Sequence, residues 1–328
     1  MPARHTAAQP RRPRILDVTL RDGGYLNAWR FTDATVREHT KVLGEVGVPY
    51  VEVGYISDDP GREPTLQCTP DLLRQVGEDA GRARVVAMLG VNGRSPEEVA
   101  ALLRPRAEVL DVVRLTCPVE RLDHVLAAAE AVCATGVTCS LNLISVTAYE
   151  PGELAAAAGR VARAGVADWL YLADSRGALL PEHAAELFAG VRAAWPGLAG
   201  FHGHDNLGHA VANSRIALEA GFDLVDGSLN GYGLGGGNTD LAEALALVGE
   251  VDRPRLASLA ERVAAEMPPP PPFQHLYPLT GWRNLEQEWA PDVWEAHGEN
   301  AGEFLRGLAW KRYRQVGEVL GDASAPRP

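Results

Sequence analysis

The chain alternates regularly between short runs of β-branched and aliphatic residues and longer stretches with helical periodicity. The strand-like runs span residues 15–20, 50–55, 84–89, 110–115, 138–144, 169–173, 198–202 and 223–228. The helical patterns that follow them span residues 33–46, 70–80, 96–103, 119–135, 151–164, 181–195, 208–220 and 238–248. Eight strand–helix units at this spacing predict an α/β fold, a (β/α)8 TIM barrel. A doubly wound sheet is the alternative, but the Gly-x-Gly-x-x-Gly loop that would favour it does not follow the first run.

The pattern changes after residue 250. Prolines over residues 268–272 predict a stiff connector. We therefore expect a disordered tail over residues 1–13, a catalytic barrel over 14–250 and a proline-linked, mainly helical segment over 251–328. Four of the seven tryptophans lie in that last segment, at Trp282, Trp289, Trp294 and Trp310. They are expected to bury against the barrel or a second subunit, which predicts a homodimer.

Composition excludes several classes of partner. A net charge of -12 argues against a surface for nucleic acid or anionic membrane. No apolar run reaches the length needed to span a bilayer. The four cysteines form no Cys-x-x-Cys pair, so reduced thiols in a cytoplasmic protein are expected.

Two histidines lie two residues apart at the end of the seventh strand-like run. Residues i and i+2 of a strand point to the same side, so His202 and His204 can present imidazole nitrogens to one point. Imidazole is a common ligand of divalent metals, which makes the pair a candidate metal site. Two ordinary loop histidines are the structural alternative.

Polar residues follow most of the other predicted strands as well. They are Arg21, Asp22 and Tyr25 after the first, Glu52 in the second, Asn142 in the fifth, Asp174 after the sixth, and Gly235, Gly236 and Asn238 after the eighth. Barrel enzymes place their chemistry at the carboxyl ends of the strands. The sequence therefore predicts one site at one rim of the barrel.

These motifs resemble those of the DRE-TIM metallolyases, the superfamily of 3-hydroxy-3-methylglutaryl-CoA lyase. The resemblance covers roughly residues 14–249. It rests on Arg21 followed by Asp22 and glycine, on Glu52, on the His-x-His-x-Asn sequence from His202, and on the glycine-rich loop that ends at Asn238. The spelling of the histidine motif is most similar to that of the 4-hydroxy-2-oxovalerate aldolases.

The resemblance implies a divalent metal held by Asp22, His202, His204 and Asn238. Two nitrogen and two oxygen ligands suit Mn²⁺ or Mg²⁺, with Co²⁺ and Zn²⁺ as alternatives. The metal would chelate a 2-oxo acid and stabilise its enolate as a Lewis acid.

Three further residues are expected to be catalytic. Arg21 would add positive charge beside the enolate oxygen, and Glu52 would orient Arg21. The hydroxyoxovalerate aldolases carry an acid–base histidine at the position of Tyr25. A phenol with a pKa of about 10 is a poor base, so Tyr25 would act as an acid or hydrogen-bond donor. The base stays open among Tyr25, a metal-bound hydroxide, His209, His275 and Tyr277.

Four residues are expected to bind substrate. They are Asn142, Asp174, Gly235 and Gly236. For Asp174 a helix N-cap role is the alternative, and for the glycines a simple flexible turn.

The resemblance implies a metal-dependent carbon–carbon lyase or aldolase, acting through a metal-bound enolate of a pyruvate-like 2-oxo acid and an aldehyde. A Claisen-type acyltransferase that condenses an acyl-CoA with a 2-oxo acid is the alternative. A third possibility is a metal-containing scaffold whose C-terminal segment binds a partner enzyme. Such a partner would also be compatible with catalysis, since the hydroxyoxovalerate aldolases channel their aldehyde to a dehydrogenase.

Overall fold

Eight parallel strands close into a barrel in the computed structural model, which describes residues 13–59, 61–249, 251–322 and 324. The strands are β1 (Arg14–Asp17), β2 (Tyr50–Tyr55), β3 (Arg84–Leu89), β4 (Val112–Cys117), β5 (Thr138–Leu143), β6 (Trp169–Asp174), β7 (Leu198–Gly203) and β8 (Leu224–Gly227). Each strand pairs with the next along the chain, and β1 pairs with β8. The predicted TIM barrel is confirmed. The tail predicted over residues 1–13 lies, apart from its last residue, outside the described residues.

Helices surround the barrel and continue beyond it. Those of the barrel are α1 (Thr19–Asp22), α2 (Gly24–Asn27), α3 (Asp33–Glu45), α4 (Pro70–Ala80), α5 (Pro96–Leu103), α6 (Leu122–Cys133), α7 (Pro151–Ala164), α8 (Pro181–Ala194), α9 (Ala210–Glu219) and α10 (Leu241–Val248). Those that follow are α11 (Arg253–Ala264), α12 (Tyr277–Trp282), α13 (Ala290–His297), α14 (Ala301–Gly307) and α15 (Val316–Leu320). None of the described helices is long and apolar enough to cross a membrane.

The first strand is shorter than its apolar run predicts. The run over residues 15–20 continues the apolar pattern, but β1 ends at Asp17 and the chain turns into α1. The carboxylate of Asp17 accepts hydrogen bonds from Thr19 N at 3.2 Å and Thr19 Oγ1 at 2.7 Å. An aspartate that satisfies the backbone two residues on favours a turn over a continued strand. Arg21 and Asp22 therefore lie on a helical turn above the barrel.

The barrel interior is layered. Inward-facing apolar residues fill one layer, among them Leu16, Tyr50, Val112, Trp169 and Leu224. Two residues further along several strands, a polar layer follows, which contains Glu52, Arg114, Asn142, His202 and Asp226, all buried. Residues i and i+2 of a strand share a face, so each strand carries both layers. The apolar layer closes one end of the barrel and the polar layer opens towards the carboxyl-terminal rim.

The C-terminal segment has a core of its own. Leu276, Tyr277, Phe304 and Leu305 belong to a hydrophobic cluster separate from that of the barrel. The helix α11 instead packs on α3, and its buried leucines belong to the barrel's cluster, so the packing of the barrel extends past residue 250. The domain division at that residue stays a prediction.

The four C-terminal tryptophans differ in burial. Trp289 and Trp294 pack against the C-terminal cluster. Trp282 and Trp310 form an edge-to-face pair with ring centroids 4.9 Å apart, and they are 48% and 70% exposed. The described part of the chain leaves this second pair exposed.

Candidate active site

Three buried side chains converge where β7 ends above α1. Asp22, His202 and His204 each offer a ligand atom, and these atoms all lie within 4.8 Å of one another. His202 Nε2 is 3.3 Å from His204 Nε2, and each is 3.9 Å from Asp22 Oδ2. The structure thus brings together three of the four residues predicted to hold a metal.

The histidine tautomers follow from their other ring nitrogens. His202 Nδ1 is 3.0 Å from Asp226 Oδ2, and His204 Nδ1 is 3.2 Å from the carbonyl of Leu234. A carboxylate oxygen and a carbonyl oxygen can only accept a hydrogen bond, so Nδ1 carries the hydrogen in both rings. Both Nε2 atoms therefore have free lone pairs. Two lone pairs and a carboxylate oxygen therefore face one another, an arrangement that repels unless a cation lies between them. The residues present fit a divalent metal.

Asn238 lies beside this group. Its Nδ2 donates to the carbonyl of Tyr232 at 3.0 Å, while its Oδ1 and Asp22 Oδ2 are buried without a hydrogen-bond partner among the described residues. A Cβ on Gly233 would lie 2.7 Å from Asp22 Oδ2 and 2.6 Å from Asn238 Cγ, so glycine is needed at this position. Two orphaned oxygens at one place are what a hard cation would satisfy.

Electrostatics keep the group ready to bind a cation. Burial would raise the pKa of Asp22, but Arg21 and then the two histidines lower that pKa to about 2. Burial lowers the pKa of His202 well below its usual range, helped by His204 and Arg21. Burial also lowers the pKa of His204, against the opposing effect of Asp22. The carboxylate is therefore ionised and both imidazoles are neutral at neutral pH.

Arg21 is locked in place by two carboxylates. Its Nη1 pairs with Asp22 Oδ1, and its Nε donates to Glu52 Oε2 at 2.7 Å. All three side chains are buried. Burial opposes the charge of Arg21, but Asp22 and then Glu52 hold its pKa well above the usual value. A fixed guanidinium thus lies directly beside Asp22, and its catalytic role stays a prediction.

Sequence reasoning missed two charged residues of the polar layer. Arg114 Nη1 donates to Glu52 Oε2 at 3.1 Å, and Arg114 Nη2 donates to Asp226 Oδ2 at 2.8 Å. Asp226 in turn holds His202, so Arg114 links the two sides of the site. Arg114 and Asp226 both lie within apolar strand runs. A charged residue two positions after an inward apolar residue was the available signal for a buried charge.

Asn142 lines the cavity, and its contact with substrate stays a prediction. With its amide oxygen turned towards Arg114, it accepts from Arg114 Nε at 3.0 Å and Nη2 at 2.8 Å and donates to Ser140 Oγ at 3.0 Å. Its placement is therefore fixed by the same buried arginine.

The other predicted substrate-binding residues lie behind the cavity wall. Asp174 is buried, and its two oxygens accept from the backbone of Ala178 at 3.0 Å and Leu179 at 2.9 Å. Gly236 N donates to Asn206 Oδ1 at 3.0 Å, and Gly235 has a positive φ of 72°. These contacts lie within the chain, and direct contact of the three residues with substrate stays a prediction.

Tyr25 lies at the cavity wall and contacts Tyr55, with 2.8 Å between the hydroxyl oxygens. Burial raises the pKa of Tyr25, and the hydrogen bond to Tyr55 only partly opposes this. A phenol that keeps its proton suits an acid or donor rather than a base. Of the other groups proposed as the base, His275 is exposed and bonds to Pro272 O, and neither it nor His209 lines the cavity.

The cavity above the presumptive ligands has a volume of about 660 Å³. Its floor comes from the barrel, and part of its wall comes from the C-terminal segment, namely Glu286, Gln287, Glu288, Arg312, Tyr313 and Arg314. Arg176 fixes that wall, because it donates to Glu286 Oε1 at 2.7 Å and to the carbonyl of Asn284 at 2.7 Å. The cavity is thus built from both parts of the chain.

Comparison with known proteins agrees with this geometry. A family model described as HMGL-like matches residues 106–259. A 4-hydroxy-2-oxovalerate aldolase of Roseiflexus sp. (strain RS-1) is 34% identical over 80% of this chain and 78% of the relative. The protein belongs to the HMGL-like family. An oxaloacetate decarboxylase of Mycobacterium tuberculosis is 33% identical over 71% of this chain and 69% of the relative.

A solved structure supports the assignment of this HMGL-like chain. The N-terminal domain of a putative aldolase from Bacteroides vulgatus superposes with a TM-score of 0.76 at 26% identity, over 88% of this chain and 98% of that one. Because the likeness covers 88% of this chain, it extends beyond the barrel into the C-terminal segment.

Proposed function

We propose that this HMGL-like protein is a divalent-metal-dependent aldolase that cleaves a 4-hydroxy-2-oxo acid into a pyruvate-like 2-oxo acid and an aldehyde. The observation that carries the proposal is the buried group of Asp22, His202 and His204, with unpaired ligand atoms directed at one point beside Arg21. Relatives named as aldolases support it. A Claisen-type condensation is less well supported, because the similar proteins are named as aldolases and as a decarboxylase.

Asp22, His202, His204 and Asn238 would hold the metal, with Mn²⁺ or Mg²⁺ matched best by two oxygen and two nitrogen donors and Co²⁺ or Zn²⁺ as alternatives. When bound, the metal would supply Lewis acidity to the 2-oxo acid.

The chain's own residues complete the chemistry. The guanidinium of Arg21 lies beside Asp22 and places a permanent positive charge where the enolate oxygen develops. Glu52 holds Arg21 in that orientation. Tyr25 would donate a hydrogen bond to the aldol oxygen from the cavity wall. Asn142, on β5, would contact the substrate from another side of the cavity.

Decarboxylation of oxaloacetate is a second candidate reaction. It is favoured by the similarity to a named oxaloacetate decarboxylase. Loss of CO₂ from oxaloacetate and retro-aldol cleavage both leave the enolate of pyruvate, so Arg21 and the metal ligands would act alike in both. The reactions differ in the leaving group, CO₂ or an aldehyde.

Pyruvate release tests both reactions. The Mn²⁺-loaded protein is assayed with 4-hydroxy-2-oxovalerate and with oxaloacetate, before and after chelation, and as the His202→Ala variant. We expect metal-dependent release from the hydroxy acid, no release by His202→Ala, and normal release by His183→Ala, whose imidazole is exposed on α8. Undiminished turnover in chelator or in His202→Ala contradicts the proposal. Release from oxaloacetate alone assigns the decarboxylase reaction instead.

We also propose that the protein is a cytoplasmic homodimer, with a channelling partner enzyme as a further expectation. The exposed pair of Trp282 and Trp310 supports a subunit contact, since isolated chains rarely expose two adjacent indoles. The cysteines described are free thiols. Light scattering of the wild type and of a Trp282→Ala, Trp310→Ala double variant tests the dimer, and a monomeric wild type contradicts it.

A further inference from the structure

One carboxylate of the cavity has no partner. Glu288 belongs to a 3₁₀ turn over Gln287–Trp289, just before α13, and it lines the cavity that Asp22, His202 and His204 also line. No other described residue forms a hydrogen bond or ion pair with its carboxylate. It is free to exchange a proton with a molecule in the cavity.

The other acidic groups of the cavity are engaged. Glu286 accepts from Arg176, and Ser145 Oγ also donates to it at 3.1 Å. Glu120 pairs with Arg312 at 3.2 Å and accepts from the hydroxyl of Tyr149. Apart from Asp22, Glu288 is therefore the acidic residue lining the cavity whose carboxylate no other described residue holds.

Tyrosines do not fill the role of a base. Burial raises the pKa of Tyr25, and burial raises that of Tyr55 well above its usual value. Both phenols therefore hold their protons at neutral pH and serve as donors. The reaction still needs a group that removes a proton.

The turn that carries Glu288 is held against the barrel on both sides. Glu286 is fixed by Arg176, as described above. Gln287 is buried, and its side chain packs so closely against Gly235 that a Cβ there would lie 1.7 Å from Gln287 Oε1. Glu288 thus has a defined position at the rim although its own side chain is unpaired. A fixed backbone with a free carboxylate is suited to proton transfer.

The surroundings of Glu288 favour its protonated form. Glu288 is exposed at the rim, but partial desolvation of its carboxyl raises its pKa, and the negative charges of Glu286 and Asp22 raise it further. Glu288 in turn contributes to the raised pKa of Tyr25, which places the two groups in the same part of the cavity. Because its pKa is raised, this carboxyl holds a proton more readily than an ordinary glutamate does, which suits an acid–base group.

We propose that Glu288 is the general acid–base of the reaction, an inference that rests on the proposed aldolase function. In cleavage, its carboxylate takes the proton of the C4 hydroxyl. The electron pair left on the oxygen forms the C=O bond of the aldehyde, the C3–C4 bond breaks, and its electron pair passes into the enolate. The carboxyl of Glu288 then returns its proton to C3, which gives the 2-oxo acid and restores the carboxylate. In reverse, it removes a proton from C3.

Exchange of the methyl protons of pyruvate in deuterated buffer isolates this step, because no aldehyde is needed. Exchange is followed by NMR for the Mn²⁺-loaded wild type and for Glu288→Gln. We expect a loss of about 10²–10⁴-fold in the variant, the usual size of general acid–base catalysis. Mn²⁺ affinity measured by calorimetry is expected to stay unchanged. Glu295→Gln is the matched control, since this exposed glutamate of α13 does not line the cavity.

Chemical rescue separates a proton-transfer role from a structural one. Formate supplies a free carboxylate, so it is expected to restore part of the exchange rate in Glu288→Ala and none in Glu295→Gln. If the wild type exchanges protons and Glu288→Gln does so at a rate within about threefold, the role of Glu288 is overturned. The aldolase proposal then stays intact. A Glu288→Gln variant that loses Mn²⁺ also overturns it. Absence of exchange in the metal-loaded wild type overturns the proposed function itself.

Discussion

At the scale of single residues, Arg21 offers the most direct test of enolate stabilisation. Its Nε contacts Glu52 while its Nη1 contacts Asp22, and a lysine cannot make both contacts from one ammonium. We expect Arg21→Lys to lose about 2.7–4 kcal/mol of transition-state stabilisation, the cost of removing one oxyanion donor. Steady-state pyruvate release gives kcat, and calorimetry gives Mn²⁺ affinity, which should change far less. Near wild-type turnover would show that Arg21 only supports the structure.

Asp226 sets the tautomer of His202, so it is expected to govern metal affinity. Asp226→Asn would present an amide in place of the carboxylate that Nδ1 faces at 3.0 Å, and it would leave Arg114 short of one partner. Removing such a supporting carboxylate typically costs about 10–100-fold in metal affinity. Mn²⁺ calorimetry measures this, with Asp123→Asn on the exposed side of α6 as control. Unchanged affinity in Asp226→Asn contradicts the tautomer argument.

Sequence alone identified the residues that lie in recognisable motifs. Asp22, His202 and His204 follow strand ends at motif spacing, and the structure brings them together. Arg114 and Asp226 escaped because each stands within an apolar run, where the local signal is only a charge two positions after another apolar residue, and the sequence does not show which of these residues face inward. Their function depends on pairing across the barrel, from β4 to β8, which is a property of the closed sheet.

At the scale of elements, the turn from β1 into α1 places Arg21 and Asp22. Asp17 makes this turn, and it also accepts from His39 Nε2 at 2.8 Å. Asp17→Ala would leave those buried groups without an acceptor, so we expect about 3 kcal/mol less stability. Urea unfolding measures the change, and Asp71→Ala, at an exposed ion pair, should cost far less. Equal stability of the two variants would show that the apolar contacts of α1 suffice to form the turn.

The turn after β6 predicts a dependence of stability on pH. Burial raises the pKa of Asp174 to about 6, although the backbone of Leu179 and Ala178 opposes the shift. The folded-state pKa lies above the unfolded value of 3.8, so the contribution of Asp174 to stability is fully present below about pH 4 and is lost as pH rises through 6. The loss amounts to about 3 kcal/mol.

Urea unfolding of metal-free wild type and Asp174→Asn at several pH values between 4 and 8 measures this contribution. As pH rises, the unfolding free energy of Asp174→Asn should increase relative to that of the wild type, because asparagine does not ionise. The measurement is made on the difference so that the titration of other groups cancels. A difference independent of pH contradicts the raised pKa of Asp174.

At the scale of the whole molecule, the barrel was predictable and the completed cavity was not. Eight strand–helix units have local signatures, and a closed parallel sheet is the fold that such units form. The wall contributed by Glu286, Gln287 and Glu288 is distant in sequence from the barrel it meets, with a separation of 110 residues between Arg176 and Glu286. No periodicity in the C-terminal segment indicates which of its polar residues face the barrel, because that depends on how two separate cores dock.

Docking of those two cores is expected to depend on Arg176. Its guanidinium is buried and holds Glu286 and the carbonyl of Asn284 at once. Arg176→Ala would leave Glu286 without its cation and would loosen the cavity wall. Truncating one partner of a buried charge pair typically costs about 2–5 kcal/mol at such an interface.

The substitution Arg176→Ala should affect the cavity wall and leave the metal site of the barrel unchanged. In Arg176→Ala, turnover should fall and protease cleavage near the proline connector should increase, because the segment is released from the rim. Mn²⁺ affinity should persist, since the presumptive ligands all belong to the barrel. Arg160→Ala, which removes an exposed ion pair with Asp123, is the matched control. If Arg176→Ala turns over normally and resists proteolysis, apolar packing alone docks the segment, and the ion pair is not what completes the active site.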